Sequence, residues 1–375
     1  MKEEFLKCLP TVFVIGNEYE IFCWAKVNGV FCLQIGNERY YEENSGVLSS
    51  EKPYVKIRVP QSVLNASKGY EVVFRETVNR RAYYPELLSE QVAFFAFQPM
   101  KKIEDIHIYH IADVHYRFDL AKKTAEYFED DVDLFVVNGD IGEVETEENY
   151  FEVANFVGLI SQGRIPVVFA RGNHDIRGKL AEKYVEFFPC NGKKTYFTFE
   201  LGCLSGIVLD CGEDKQDDCL NYEAMATFNA SSPYVYGGVN RFSAYRSSQL
   251  EYLRSLSLNQ NSIRFAISHI CPVMTTYKKG DEFDIERECY NLWNEELERL
   301  GVEFMLCGHM HKAHVLDSDS SLNTLPHKYP VIIGSACFKD DFWGAALIVN
   351  KNEMEVRFTD KDKNVRECFC IALKK

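Results

Sequence analysis

Five short polar clusters interrupt otherwise apolar stretches of the chain, in the order Asp113-Val-His115, Gly139-Asp140, Gly172-Asn173-His174-Asp175, Ser268-His269 and Gly308-His309-Met-His311. They hold five of the nine histidines. Imidazole nitrogen combined with carboxylate oxygen suits zinc, iron or manganese, whereas calcium takes oxygen alone. Asp113/His115 and His309/His311 are each spaced i, i+2, which in an extended segment turns both side chains to one side. Gly139, Gly172 and Gly308 each precede a candidate ligand, where a missing Cβ lets the backbone turn sharply and come close to the site. Taken singly, each cluster has a plain structural reading: a turn with a surface histidine, an ordinary Gly-Asp turn, a histidine at the edge of the core. Five in order, each behind an apolar strand, point instead to one divalent-metal site.

Those strands are Ile106-His-Ile-Tyr-His-Ile, Val132-Asp-Leu-Phe-Val-Val, Ile165-Pro-Val-Val-Phe, Ile263-Arg-Phe-Ala-Ile and Val302-Glu-Phe-Met-Leu, with Gly206-Ile-Val-Leu as a sixth. Compact apolar runs of this kind belong in a sheet covered on both faces. Amphipathic stretches lie between them: Tyr150, Val153, Val157 and Ile160 recur at helical spacing, as do Ile285, Cys289, Trp293 and Leu297. The fold class is therefore α/β, and ligands in such sheets gather outside the carboxyl ends of the strands. Five loops would converge on one edge. The last strands, around Val331, Ala345 and Met354, suit an antiparallel continuation of the sheet. Arg246-Ser-Ser-Gln-Leu reads as a helix start.

Residues 1–100 have a different texture, with strands at Thr11, Glu20, Val30, Tyr54, Tyr70 and Val92 separated by turn signals at Gly16-Asn, Asn28-Gly and Gly36-Asn. Asn28-Gly predicts a two-residue hairpin. Short strands without a helical period predict a small β-sandwich domain over 1–100, joined through Gln98-Pro-Met-Lys-Lys to a catalytic domain over 101–375. The chain carries 42 Lys+Arg against 56 Asp+Glu, a net charge of -14. That balance disfavours nucleic-acid polymers and anionic membranes. The acidic start Met1-Lys-Glu-Glu does not resemble a signal peptide, and no apolar run reaches the length of a membrane helix, so a cytoplasmic location is expected. The 13 cysteines contain no C-x-x-C and fall mostly in apolar runs, which predicts buried reduced thiols.

The ordered set D-x-H, G-D, G-N-H-[DE], H and G-H-x-H resembles the signature of the calcineurin-like metallophosphoesterase superfamily, over residues 105–350. The resemblance implies a catalytic domain of two β-sheets flanked by helices. The first hundred residues are similar to the fibronectin III-like (immunoglobulin-type) domain of purple acid phosphatases. It also implies two divalent metal ions per chain, of Mn, Fe or Zn, the first held by Asp113, His115, Asp140 and His311 and the second by Asp140, Asn173, His269 and His309. Asp140 would bridge them, and a solvent-derived hydroxide between the ions would be the nucleophile. By the same resemblance His174 stabilises the transition state or protonates the leaving oxygen, with Asp175 placed to orient it and favour its charged form. Arg171 is a candidate phosphate-binding group. Glu143 stands where purple acid phosphatases have an iron-ligating tyrosine, which removes the basis for a purple ferric centre.

The stretch between Leu209 and Tyr245 lacks a clear helix or strand, and loops of that length are commonly lids or binding loops. Tyr234, Tyr236, Asn240 and Arg241 are its candidate substrate contacts. The expected activity is hydrolysis of a phosphomonoester of a small metabolite. The same ligand set would serve a phosphodiester, including a cyclic nucleotide, and a non-catalytic scaffold retaining the fold is the remaining reading.

Overall fold

The computed structural model describes residues 4–213, 217, 220–221, 234–235, 240–274 and 287–373. Its centre is a pair of β-sheets packed face to face. The first runs, in spatial order, Val365–Ala372, Glu353–Thr359, Phe342–Val349, Ile106–Ile111, Leu134–Asn138, Pro166–Ala170, Thr11–Ile15, Glu18–Trp24 and Tyr54–Pro60, with Ala336–Cys337 paired to Phe342–Val349. The second runs Phe197–Leu201, Leu204–Leu209, Ile263–Ser268, Phe304–Cys307, Val331–Ile333 and His314–Leu316. Ile106–Ile111, Leu134–Asn138 and Pro166–Ala170 are mutually parallel, as are Leu204–Leu209, Ile263–Ser268, Phe304–Cys307 and Val331–Ile333. The five motif clusters therefore leave their strands in two parallel sets.

Both faces of these strands are apolar because both are covered. Ile106, Ile108, Leu134, Val136, Val168 and Ala170 enter the core between the sheets, where they meet Leu204, Phe265, Ile267, Phe304 and Leu306. The alternate residues Tyr109, Ile111, Phe135, Val137, Val167 and Phe169 pack outward under the helices Phe118–Ala125 and Glu147–Ser161. On the far side, Ile207, Leu209, Ala266 and Met305 pack under Phe242–Ser255 and Arg287–Arg299. The order of layers is helix, sheet, sheet, helix, as expected.

The helix Glu147–Ser161 forms where its sequence directs it. The Thr146 side chain accepts from the Asn149 amide while the Asn149 side chain accepts from the Thr146 amide, a reciprocal cap. Glu147 and Glu148 complement the positive end of the dipole. Tyr150, Val153 and Val157 bury one face. Trp293 and Leu297 do the same for Arg287–Arg299, while Ile285 lies outside the described residues. The helix read as starting near Arg246 begins earlier, at Phe242, because Asp217 accepts hydrogen bonds from the amides of Phe242 at 2.8 Å and Ser243 at 3.1 Å. A cap supplied from 25 residues upstream leaves no local signal.

The boundary expected at residue 100 does not coincide with a break in the sheet pairing. Gly29–Ile35, Gly69–Arg80 and Gln91–Ala96 do form a second layer with Glu38–Tyr40 and Pro85–Leu87, stacked on Thr11–Ile15, Glu18–Trp24 and Tyr54–Pro60. Those last three strands, however, belong to the catalytic sheet, since Thr11–Ile15 pairs in parallel with Pro166–Ala170 through Val12 opposite Pro166 and Phe13 opposite Val167. One hydrophobic core runs from Phe31 and Phe74 through Val12 and Ile57 to Val168. Asn28-Gly29 is not a hairpin either. The chain passes there from one sheet to the other, and a Cβ on Gly29 would lie 2.4 Å from the Arg75 carbonyl oxygen.

The C-terminal strands Phe342–Val349 and Glu353–Thr359 extend the first sheet in antiparallel fashion as expected, whereas Val331–Ile333 joins the second. All twelve described cysteines are free, and most are buried, with Cys368 and Cys370 exposed on the last strand. His327 is buried and donates from Nδ1 to the Tyr329 carbonyl at 2.6 Å. Among the described residues no helix is long and apolar enough to cross a membrane.

Candidate metal centre

The five motif loops meet over the carboxyl ends of the two sheets. Asp113, His115 and His311 form one group of closely placed donor atoms, Asp140, His269 and His309 a second, and His115, Asp140 and His174 a third. Asp140 Oδ2 is the hub: it lies 3.2 Å from His269 Nε2, 3.8 Å from His115 Nε2 and 3.9 Å from His174 Nε2. Asp113 Oδ1 is 3.4 Å from His311 Nε2 and 3.8 Å from His269 Nε2.

Close backbone approach makes this possible. A Cβ on Gly172 would fall 2.2 Å from Asp140 Oδ1, one on Gly139 would fall 2.5 Å from the Gly172 Cα, and one on Gly308 would fall 2.9 Å from Asp113 Oδ2. The i, i+2 pairs do share a side, but not through an extended backbone. Asp113, His115, His309 and His311 have φ of 54°, 43°, 69° and 52°, and Asp140 has φ of 55°. Left-handed conformations at non-glycine residues cost of order 1–3 kcal/mol each and gather where a site needs a fixed side-chain direction.

Hydrogen bonds then fix the donors. The Asn138 carbonyl can only accept, so His269 donates to it from Nδ1 at 2.6 Å and turns Nε2 toward the hub. Asp113 accepts from the His309 amide through both oxygens, at 3.1 and 2.9 Å, and Asp140 Oδ1 accepts from the His174 amide at 2.8 Å. Asn138 itself, which the sequence reading did not single out, donates from Nδ2 to the Leu306 carbonyl at 3.3 Å and so ties the edge of the first sheet to the second.

The electrostatics call for a cation. Burial raises the Asp113 carboxyl to about 8, reinforced by the nearby Asp140 charge, and His269 only partly offsets this. Burial opposes charge on Asp140 too, but His269, His174 and His115 around it hold it well below the usual carboxylate range. Burial pushes His309 down to about 3 and His115 down to about 4, so both present neutral nitrogens. Asn173 Oδ1 faces His309 Nδ1 at 2.9 Å, and the same amide sits 3.3 Å from Asp140 Oδ2. An amide oxygen, an imidazole nitrogen and a carboxylate oxygen pointing at one another are the donor set of a bound divalent cation, so the residues fit the implied metals.

The structure also sorts the remaining candidates. Asp175 does not touch His174 as expected. The short turn His174–Ile176 carries it the other way, and its Oδ2 accepts from the amides of Gly172 at 2.7 Å and Asp140 at 3.2 Å, binding two motif loops together. Its carboxyl is raised to about 7 by burial and by Asp140. His174 is lowered, by burial first, rather than raised. Arg171 is committed elsewhere, with Nη2 2.7 Å from buried Asp210 and its guanidinium over the Tyr184 ring. The arginine that reaches the cluster is Arg177, whose Nη1 donates to His174 Nε2 at 3.1 Å. Glu143 is exposed and outside all three groups, and its amide donates to the Tyr116 hydroxyl at 2.9 Å. Asn240 and Arg241 lead directly into the helix Phe242–Ser255. Tyr234 pairs with Asn221 in a two-residue strand, and Tyr236 lies outside the described residues with most of the proposed lid.

Residues 106–313 match the family model described as calcineurin-like phosphoesterase. Among solved structures, the chain is similar to the purple acid phosphatase PPD1 from yellow lupin seeds, with a TM-score of 0.60 and 11% identity over 97% of this chain and 74% of that one. It is also similar to PhoD, with a TM-score of 0.58 and 10% identity over 100% of this chain and 91% of that one. At such identities the likeness is one of fold. No curated protein sequence matches at a significant level. The family match spans more than half of the chain and contains all five motif clusters, so the chain belongs to the calcineurin-like phosphoesterase family and is a metallophosphoesterase, a hydrolase of phosphoester bonds.

Proposed function

We propose that the chain hydrolyses a small phosphomonoester with a dinuclear metal centre in the cytoplasm. The observation that carries this reading is Asp140, whose Oδ2 belongs at once to the His115 side and to the His269 and His309 side of the cluster. Asp113, His115, Asp140 and His311 would hold one ion, and Asp140, Asn173, His269 and His309 the other. A shared carboxylate offsets the repulsion between two dications. When bound, such a pair lowers the pKa of water to near neutrality and polarises the phosphoryl oxygens.

The chain's own residues supply the rest. His269 presents Nε2 because Asn138 occupies its other nitrogen. Asp175 keeps the Gly139-Asp140 and Gly172-Asn173 loops at fixed separation. The side chains of His311 and His115 are 47% and 20% exposed, against 0% for Asp113 and 2% for Asp140, so substrate would enter on the His311 side. His174 borders the same space, its ring 4.8 Å from that of His115. The acidic chain is no obstacle to a phosphate ester, since the charge of bound metal dominates the local field. Kinetics on p-nitrophenyl phosphate and bis-p-nitrophenyl phosphate test the reading. A higher kcat/KM on the monoester supports it, and a strong diester preference would replace it with a phosphodiesterase.

A further inference from the structure

Arg177 stands out as the charged side chain at the cluster that no motif accounts for. It lies three residues after His174, on the loop that follows Pro166–Ala170 in the first sheet, and its amide donates to the His174 carbonyl at 3.1 Å to close the turn. Its guanidinium is gripped from the other sheet. Glu213, four residues beyond Leu204–Leu209 and 1% exposed, accepts from Nε at 2.8 Å and from Nη2 at 2.5 Å. A two-point contact of this kind sets the plane of the guanidinium as well as its position. Its remaining edge meets His174, with Nη1 donating to Nε2 at 3.1 Å.

We infer that Glu213 and Arg177 form a positioning device for the phosphoester hydrolysis proposed above: Glu213 orients the guanidinium across the gap between the sheets, and Arg177 fixes the ring orientation and tautomer of His174. The inference rests on that reading of the site. A guanidinium can only donate, so the His174 nitrogen it meets must be the accepting one, and the ring hydrogen sits on Nδ1. His174 is thereby held with one face to Asp140 and His115, and the positive charge on this wall of the site belongs to Arg177. The sequence reading assigned orientation to Asp175 and the charge to His174; the contacts give both tasks to the Glu213–Arg177 pair.

Two measurements test this, one of them independent of turnover. In metal-loaded protein with 15N-labelled histidine, the His174 ring shows the Nδ1–H tautomer, and Arg177→Lys, which keeps the charge but cannot hold both Glu213 and His174 in one plane, removes that signature. An Nε2–H tautomer in the wild type, or a spectrum unchanged in Arg177→Lys, overturns the inference. In the kinetic arm, Arg177→Ala lowers kcat about 10²-fold with little change in KM, and the loss disappears in a His174→Ala background because the two residues act as a unit. Losses that multiply in the double variant, or full rescue by lysine, overturn it. A wild type without phosphoester turnover refutes the proposed function, and the tautomer measurement still decides the role of Arg177.

Discussion

Gly172→Ala probes the closest packing in the site with the smallest possible change. The Gly172 backbone carries no left-handed strain, so the effect is steric alone. A Cβ there would lie 2.2 Å from Asp140 Oδ1, 2.5 Å from the Asp140 amide nitrogen and 3.0 Å from its Cγ. The nitrogen is backbone and cannot rotate away, and Asp175 already ties it to the Gly172 loop. Restoring ordinary van der Waals separation therefore moves the Asp140 carboxylate by about 1 Å, and misplacement of that size costs roughly 10²-fold in rate. Overpacking of this kind destabilises by about 1–3 kcal/mol, which a domain of ordinary stability survives. The assay is kcat on p-nitrophenyl phosphate at saturating Mn²⁺, with metal content and urea unfolding measured on the same sample. Gly192→Ala is the control: its φ of 65° is equally left-handed to that of many site residues, but nothing lies within 4 Å of the new Cβ, so stability falls by about 1 kcal/mol and turnover is unchanged. A folded Gly172→Ala protein with kcat within about threefold of the wild type would refute the claim that close approach of these loops sets the position of the hub.

Asp175→Ala strips the acceptor from two buried amides, so unfolding free energy drops by about 2–4 kcal/mol, and an unchanged urea midpoint would show that these hydrogen bonds carry nothing. His110 is fully buried, and burial, with nearby His269, pushes it down to about 3. The unfolded chain takes up that proton near its ordinary value of 6.5, so the associated stability is complete above pH 6.5 and is lost as pH falls toward 3, by about 1.4 kcal/mol per pH unit. His110→Leu flattens the acid limb of the stability curve by one proton, and an identical slope in the variant contradicts this. A fragment comprising residues 101–375 loses the strand pairing of Thr11–Ile15 with Pro166–Ala170 and uncovers the shared core, so it is recovered insoluble or unfolded; a soluble fragment with cooperative unfolding would restore an independent first domain.

The cluster was readable because each member is a polar interruption at the end of an apolar strand, and strand ends on one edge of parallel sheets must come together. Asp113, Asp140, His269 and His309 needed no tertiary information beyond that. What supports them was not readable in the same way. Arg177 meets Glu213 across 36 residues, and Asn138 meets Leu306 across 168, each pair joining one sheet to the other. Asp175 misled for the opposite reason: adjacency to His174 suggested a pair, while the short turn His174–Ile176 that holds both directs the Asp175 carboxylate to the Gly172 and Asp140 amides instead. The strand texture of residues 1–100 was legible strand by strand, yet nothing in Thr11-Val-Phe-Val-Ile says that its partner is Pro166–Ala170 rather than a neighbour in its own hundred residues. Periodicity reports which faces are buried, and pairing partners at long separation are settled by packing.

The central claim is that two divalent cations share Asp140, and elemental analysis of purified wild-type and Asp140→Asn protein tests it most directly. Wild-type protein is expected to hold close to two Mn, Fe or Zn ions per chain and to turn over phosphoester, and the variant to lose bound metal together with turnover. Wild-type protein that turns over substrate without metal, or an Asp140→Asn protein that keeps both ions and full activity, would contradict it.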